Sequence, residues 1–227
     1  MQRELSNKDI LGWDVKNWSK ALLHWEKVIP KDKKLMCLEI GANKGGLSLW
    51  LAAKGHSVVC NDIKPTPDEI KKHHSSLKLK GEIEYQCFDA VEIPYENHFD
   101  VIILKSVLGG VGREGKDERM EKSINEIYKA LKPGGIFLFA ENLRASKFHS
   151  FFRKNFVKWA KDWNYMHYSQ IKNYLNKFTD TELHTAGFMG AFGFNEASRN
   201  VFGHIDSVVF NNLPKGYHYI VYGHAKK

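Results

Sequence analysis

Residues 35–46 constrain the fold of this chain more than any other stretch. An apolar run at 35–40 ends in the loop Gly41, Ala42, Asn43, Lys44, Gly45, Gly46, and Leu47, Leu49, Trp50 and Leu51 follow in a helix that ends near Gly55. A strand that passes through a glycine turn directly into a helix leaves that turn at the strand's carboxyl end, where ligands of open α/β sheets bind. Glycine there lets backbone approach a ligand closely. The alternation then repeats. Residues 57–60 predict a second strand ending in Asn61 and Asp62, Pro65 and Pro67 punctuate a loop, and 68–78 predict a polar helix. Residues 83–88 and 99–104 read as the third and fourth strands. A charged helix over 116–131 stops at Lys132, Pro133, Gly134 and Gly135, and a fifth strand follows at 136–140. Strands alternating with helices predict a doubly wound, mostly parallel sheet with helices on both faces.

Trp18, Leu22, Trp25 and Ile29 recur at helical spacing and predict an amphipathic helix before Pro30. Toward the other end, 179–186 read as a helix, and 205–210 and 217–222 as two strands joined by 211–216 into an antiparallel hairpin. A length of 227 residues suits one domain. Its expected parts are an N-terminal helical lid (1–34), a core (35–141), an inserted cap (142–178), and a C-terminal helix and hairpin (179–227).

Charge sets the cap apart. The net charge of +8 arises almost wholly in residues 144–177, where eight cations face the single acid Asp162. The same segment holds Phe148, Phe151, Phe152, Phe156, Trp159 and Trp163 on one helical stripe, with Lys147, Arg153, Lys154, Lys158 and Lys161 mostly off it. Such a basic amphipathic helix serves as a lid packed on the core, as a cover over an anionic ligand, or as a contact with an anionic membrane surface. No apolar run is long enough to span a bilayer and the N-terminus shows no signal-peptide pattern, so a cytoplasmic location is expected, with peripheral contact at the inner membrane face through the cap. Cys37, Cys60 and Cys87 are scattered among apolar and β-branched neighbours and read as buried thiols rather than metal ligands or a disulfide framework.

Three signals stand at the ends of successive predicted strands. Gly41 and Gly45 are four residues apart with Asn43 between them, which departs from the dinucleotide spacing and disfavours NAD. Asp62 stands where a carboxylate accepts both hydroxyls of a ribose, and Asp89 where a carboxylate or its neighbouring backbone meets an adenine amine. Each has a plainer origin: turn chemistry for the glycines, a loop cap for Asp62, a helix cap for Asp89. Jointly they favour a site.

Glu39 to Gly45, Asp62, Asp89 and residues 131–139 together resemble the class I S-adenosylmethionine-dependent methyltransferases in motif order and spacing. The resemblance spans about residues 35–141, with a weaker echo in Ala186, Gly187, Phe188 and the chain end. It implies a Rossmann-like sheet of seven strands with the last one antiparallel, and S-adenosylmethionine as cofactor. It places Glu39, Gly41, Asn43 and Gly45 at the methionine end, Asp62 with Ile63 at the ribose, Asp89 with Ala90 at adenine, and Lys105 and Trp18 beside the cofactor. Asn43 stands where many members carry glycine, and Trp18 also reads as core packing.

The acceptor is less legible. The end of the fourth strand, Leu104 to Leu108, lacks the Asn-Pro-Pro-aromatic signature of enzymes that methylate nucleobase or glutamine amines. It offers Lys105 where metal-dependent catechol-type relatives place a carboxylate, and no acid cluster has magnesium spacing, so no metal is expected. An O-methyltransferase would need a base, for which Glu141, His149 and His167 are candidates. Arg153, Lys154, Lys158 and Trp159 are the candidate acceptor-binding residues, since aromatic faces stack on sugar rings while cations hold phosphate. The expected acceptor is a hydroxyl of a small anionic or glycan molecule, such as a nucleotide-linked or lipid-linked sugar, and the cap resembles that of bacterial polysaccharide-pathway methyltransferases. An RNA methyltransferase and a non-catalytic S-adenosylmethionine-fold binding protein are the rivals. One concentrated basic patch on an otherwise neutral chain argues against nucleic acid.

Overall fold

The computed structural model describes residues 3–157 and 162–227. Two N-terminal helices, α1 (Asn7–Leu11) and α2 (Val15–Val28), precede β1 (Met36–Ile40), α3 (Gly46–Ala53), β2 (Ser57–Asp62), α4 (Asp68–Ser75) and β3 (Glu82–Cys87). Then come β4 (Phe99–Lys105), the one-turn α5 (Leu108–Val111), α6 (Asp117–Ala130) and β5 (Leu131–Asn142). The chain continues through α7 (Lys147–Phe156), α8 (Tyr168–Tyr174), β6 (Thr179–Ala186), α9 (Glu196–Ile205) and β7 (Ile220–Lys226).

The strands form one seven-stranded sheet in the order β3-β2-β1-β4-β5-β7-β6. β7 runs antiparallel to both β5 and β6, and the other pairings are parallel. Connections after β1, β2 and β4 carry helices, as right-handed crossovers between parallel strands demand. The strand order reverses at β1 and β4, so the carboxyl ends of these neighbours open a crevice there. One face of the sheet packs Leu38, Ile102, Phe137 and Phe139 against Met120, Ile124 and Ile127 of α6. The opposite face packs Cys37, Val101, Ile103 and Leu138 against Trp18, Leu22 and Trp25 of α2 and Leu47, Trp50 and Leu51 of α3. β1 and β4 are largely buried on both sides, as strands covered by helices on both faces are.

Two sequence expectations change. Residues 179–186 form the edge strand β6 and not a helix, because Thr179, Thr181 and Thr185 suit a pleated surface and the segment finds β7 to pair with. Residues 205–210 are not a strand. Instead α9 runs on into a π-type turn over Asp206–Phe210, anchored where Asp206 accepts bonds from the Met189 and Gly190 amides. The predicted hairpin is therefore replaced by β6 and β7, with α9 between them in sequence. Cys37 and Cys60 are buried as expected, but Cys87, at the end of β3, is exposed. Among the described residues, no helix is long and apolar enough to cross a membrane.

Candidate active site at the carboxyl edge of the sheet

The loop after β1 is built from three left-handed residues, Gly41 (φ 65°), Asn43 (φ 50°) and Gly45 (φ 67°). A side chain at Gly41 would meet Val107 at 2.5 Å, and one at Gly45 would meet His74 at the same distance, so both need glycine. At Asn43, Asn tolerates this conformation better than most residues with a side chain. The Asn43 amide donates to Asp62 Oδ2 at 2.8 Å, and the Ala42 amide donates to the Asn61 carbonyl at 2.9 Å, which locks the loop to the end of β2. His74 of α4 reaches the Lys44 carbonyl with Nε2 (2.9 Å) and the Tyr85 hydroxyl with Nδ1 (3.0 Å).

Behind the loop, Glu39 is buried and accepts from the Ser48 amide (2.7 Å), the Ser48 hydroxyl (2.5 Å) and the Leu47 amide (3.3 Å). It thereby holds the first turn of α3. Burial pushes its carboxyl up to about 7, against the pull of those bonds. Glu141, at the end of β5, does the same for the turn after β4. Its Oε1 accepts the Val107 (2.6 Å) and Leu108 (2.8 Å) amides, and burial likewise raises it to about 7. Lys105 lies between these acids, and its Nζ stands 4.7 Å from the Trp18 ring centroid. Burial lowers its ammonium to about 8, although Glu141 and Glu39 oppose the shift.

Two cavities share Gly41, Asn43 and Ser106 as a common wall. The first, of about 570 Å³, lies under residues 8–13 and is lined by Glu39, the glycine loop and three cations, Lys8, Lys44 and Lys105. The second, of about 700 Å³, is lined by Asp62, Ile63, Asp89 and Ala90. Asp89 also holds Arg119 at 2.8 Å and accepts from the Val91 amide. A third cavity, of about 690 Å³, meets the second at Trp163 and is otherwise lined by Arg144, Ser150, Arg153, Lys154, Asn155, Asn164 and Tyr165. Trp163 lies on the glycine pair of α5, where a side chain at Gly109 would collide with its indole.

Residues 38–139 match the model of a methyltransferase domain. The demethylmenaquinone methyltransferase of Leptospira interrogans is 28% identical over 187 residues, which cover 76% of this chain and 70% of that relative. Residues 38–139 thus form a methyltransferase domain, on the fold of the S-adenosylmethionine-dependent enzymes. Solved structures share the fold of this methyltransferase at low identity. A methyltransferase from Archaeoglobus fulgidus superposes with TM-score 0.63 at 17% identity, covering 97% of both chains. Phosphoethanolamine N-methyltransferase 2 of Haemonchus contortus, solved with S-adenosylmethionine, superposes with TM-score 0.59 at 17% identity over 92% of this chain and 52% of that one.

Most of the sequence-predicted cofactor residues of the methyltransferase converge. Glu39, Gly41, Asn43 and Lys105 line the first cavity, and Gly41, Asn43, Asp62, Ile63, Asp89 and Ala90 the second. Gly45 caps α3 just behind the loop. Trp18 is fully buried, outside the cavity walls, and meets the site through Lys105 and through Trp13, which lines the first cavity. The three candidate bases do not line any of these cavities. Glu141 is committed to two backbone amides, and His149 is buried with both ring nitrogens engaged, by Ser146 Oγ (2.8 Å) and the Phe188 carbonyl (2.9 Å). Burial drops the His149 ring to about 4. His167 caps α8 at the surface, 3.2 Å from Arg144. Arg153 and Lys154 do line the third cavity, with Arg153 stacked 4.0 Å over the Tyr165 ring and donating to the Leu143 carbonyl at 2.8 Å. Lys158 and Trp159 lie outside the described residues. The predicted aromatic stripe does not continue as one helix, since α7 ends at Phe156 and Trp163 belongs to the chain that returns to α5.

Sequence reasoning missed α1 and three contacts that shape the site. Gly46 admits the backbone of Asp9 and Ile10, so the lid rests directly on the start of α3. Gly109 and Gly110 seat Trp163, and His74 fixes the loop. The adjacent glycines were visible as a pair, but their partner was not.

Proposed function

We propose that this methyltransferase transfers its methyl group to a hydroxylated aromatic acceptor of the quinol type. The observation that carries the reading is the third cavity: rings of Trp163 and Tyr165 stand beside Arg144 and Lys154, and Trp163 is shared with the cavity that holds Asp62 and Asp89. Aromatic faces stack on a flat ring, and nearby cations favour the ionised form of its hydroxyl, which makes the ring carbon beside it nucleophilic. Relatives support this class. Besides the Leptospira enzyme, a ubiquinone/menaquinone biosynthesis C-methyltransferase of Ruegeria is 27% identical over 128 residues, 55% of this chain and 48% of that protein.

S-adenosylmethionine supplies a methyl on a sulfonium, which an acceptor carbon or oxygen takes in line as the sulfur–carbon bond breaks and the acceptor loses a proton. The residues present fit it. Gly41 and Asn43 of the left-handed loop form the wall common to both cavities, Asp62 faces the second cavity for the ribose, Asp89 and Ala90 line the adenine side, and Lys8, Lys44 and Lys105 suit the methionyl carboxylate. Positioning supplies most of the acceleration in such a displacement. Arg144 and Lys154 would hold the acceptor oxygen as an anion, so that no buried side chain need act as base.

A quinol with an isoprenoid tail would reside in a membrane, and α7 supports docking there. Phe148, Phe151 and Phe156 are exposed beside Lys147 and Lys154. A second reading, methylation of a hydroxyl on an anionic sugar, draws on the same rings and cations. The deciding assay incubates the purified chain with labelled S-adenosylmethionine and either reduced demethylmenaquinone or a panel of nucleotide sugars. Label in a carbon-bound methyl of the quinone supports the proposal. Label on sugar oxygen alone would replace it with the second reading.

A further inference from the structure

Away from the carboxyl edge, under α2, four side chains with metal-binding atoms converge from three elements. Glu182 and His184 share one face of β6 through the two-residue period of a strand, and His224 of β7 is paired directly with Glu182. His24 of α2 closes the group from above. One ligand-capable atom each from His24, Glu182 and His184 lie within 4.8 Å of one another. His24 Nε2 is 3.0 Å from His224 Nδ1, His184 Nε2 is 2.7 Å from Glu182 Oε1, and His224 Nδ1 is 3.9 Å from Glu182 Oε2. None of the four lines the three cavities of the active site.

Tetrahedral zinc holds its nitrogen and oxygen ligands at about 2.0–2.2 Å, which sets donor atoms about 3.3 Å apart. The 3.0 and 3.9 Å separations from His224 Nδ1 and the 2.7 Å one between His184 and Glu182 straddle that value. Three imidazoles and one carboxylate are donors for zinc and its neighbours in the first transition row, and a poor set for magnesium or calcium. The carboxylate and His184 are partly open to solvent (side chains 53% and 39% exposed), while His224 is at 7%. An ion thus has an entry path from outside and a buried ligand to receive it. Sequence spacing showed no metal site because the donors come from opposite ends of the chain.

We propose that His24, Glu182, His184 and His224 bind one divalent transition-metal ion, zinc by best fit, which clips the N-terminal helix α2 to the edge strand β6. The site is structural and independent of the acceptor. The test uses the full chain without an affinity tag, stripped with a chelator and titrated with zinc chloride, with magnesium chloride in parallel. One zinc per chain by calorimetry, and a Tm raised by roughly 5–10 °C at about a hundred times Kd, are expected, with magnesium inert. Cobalt chloride should give the visible absorption of a tetrahedral site. His184→Ala and Glu182→Gln should abolish both effects while the metal-free Tm stays unchanged, and His204→Ala, an exposed histidine of α9, should retain them. No stabilisation of the wild-type chain by zinc overturns the proposal. So does stabilisation that survives in both His184→Ala and Glu182→Gln, since the ion would then sit elsewhere, for example at Cys87.

Discussion

Glu39 and Asp62 turn their carboxylates to backbone amides, whereas Arg144, Lys154, Trp163 and Tyr165 line an open cavity. Glu39 and Asp62 accept five hydrogen bonds between them, four from main-chain amides, and so hold the glycine loop in shape before any ligand arrives. In the cap, Arg153 stacks on Tyr165, Lys154 is exposed, and Trp163 rests on two glycines. On the proposed function, the first region recognises the cofactor with fixed dipoles and the second takes a flat, partly charged acceptor by shape and stacking.

The largest expected effect breaks the first region. Asp62→Ala removes the acceptor of the Asn43 amide together with the ribose contacts, each charge-assisted bond contributing about 1.5–3 kcal/mol. Cofactor affinity measured by calorimetry should fall about 100-fold or more, and an unchanged value would remove Asp62 from the site. Next comes the second region. Trp163→Ala, or Gly109→Ala acting through the lost seat, should raise acceptor KM roughly tenfold, since a ring contact is worth about 0.5–1.5 kcal/mol beyond its buried area. Cofactor affinity should stay within about twofold; an equal loss of both would show that the two regions are one.

The pH profile sharpens the comparison at the point where the lid meets the C-terminal segment. Asp14 is buried beside Tyr219 and Asn17, and burial raises its carboxyl to about 7. The folded state therefore holds this proton more tightly than the unfolded chain, whose carboxyl titrates near 4. Its contribution to stability is fully present below the unfolded value and is lost as pH rises through about 7. Asp14→Asn should reduce the fall in Tm between acidic and alkaline buffers. A profile identical to wild type would show that Asp14 ionises freely in the folded protein. The smallest effect is expected for Lys154→Ala, an exposed cation. Acceptor KM should rise about two- to threefold at low salt and converge with wild type as ionic strength increases.

The strand, glycine turn and helix at 35–53, the acids closing β1, β2 and β3, and the basic aromatic composition of the cap were legible because periodicity and turn chemistry are local properties. From them the sequence alone determined the doubly wound sheet and eight of the residues that line two of the cavities, and the family resemblance implied the cofactor class. Only tertiary structure decided whether 179–186 became strand or helix, since an edge strand exists by virtue of a partner, and β7 lies more than thirty residues farther along. It also decided that Glu141 and His149 were turned inward to bond backbone, that Gly109 met Trp163, and that His24 met His184 and His224. These contacts join residues remote in sequence, and their energies depend on burial and neighbours that no local pattern encodes.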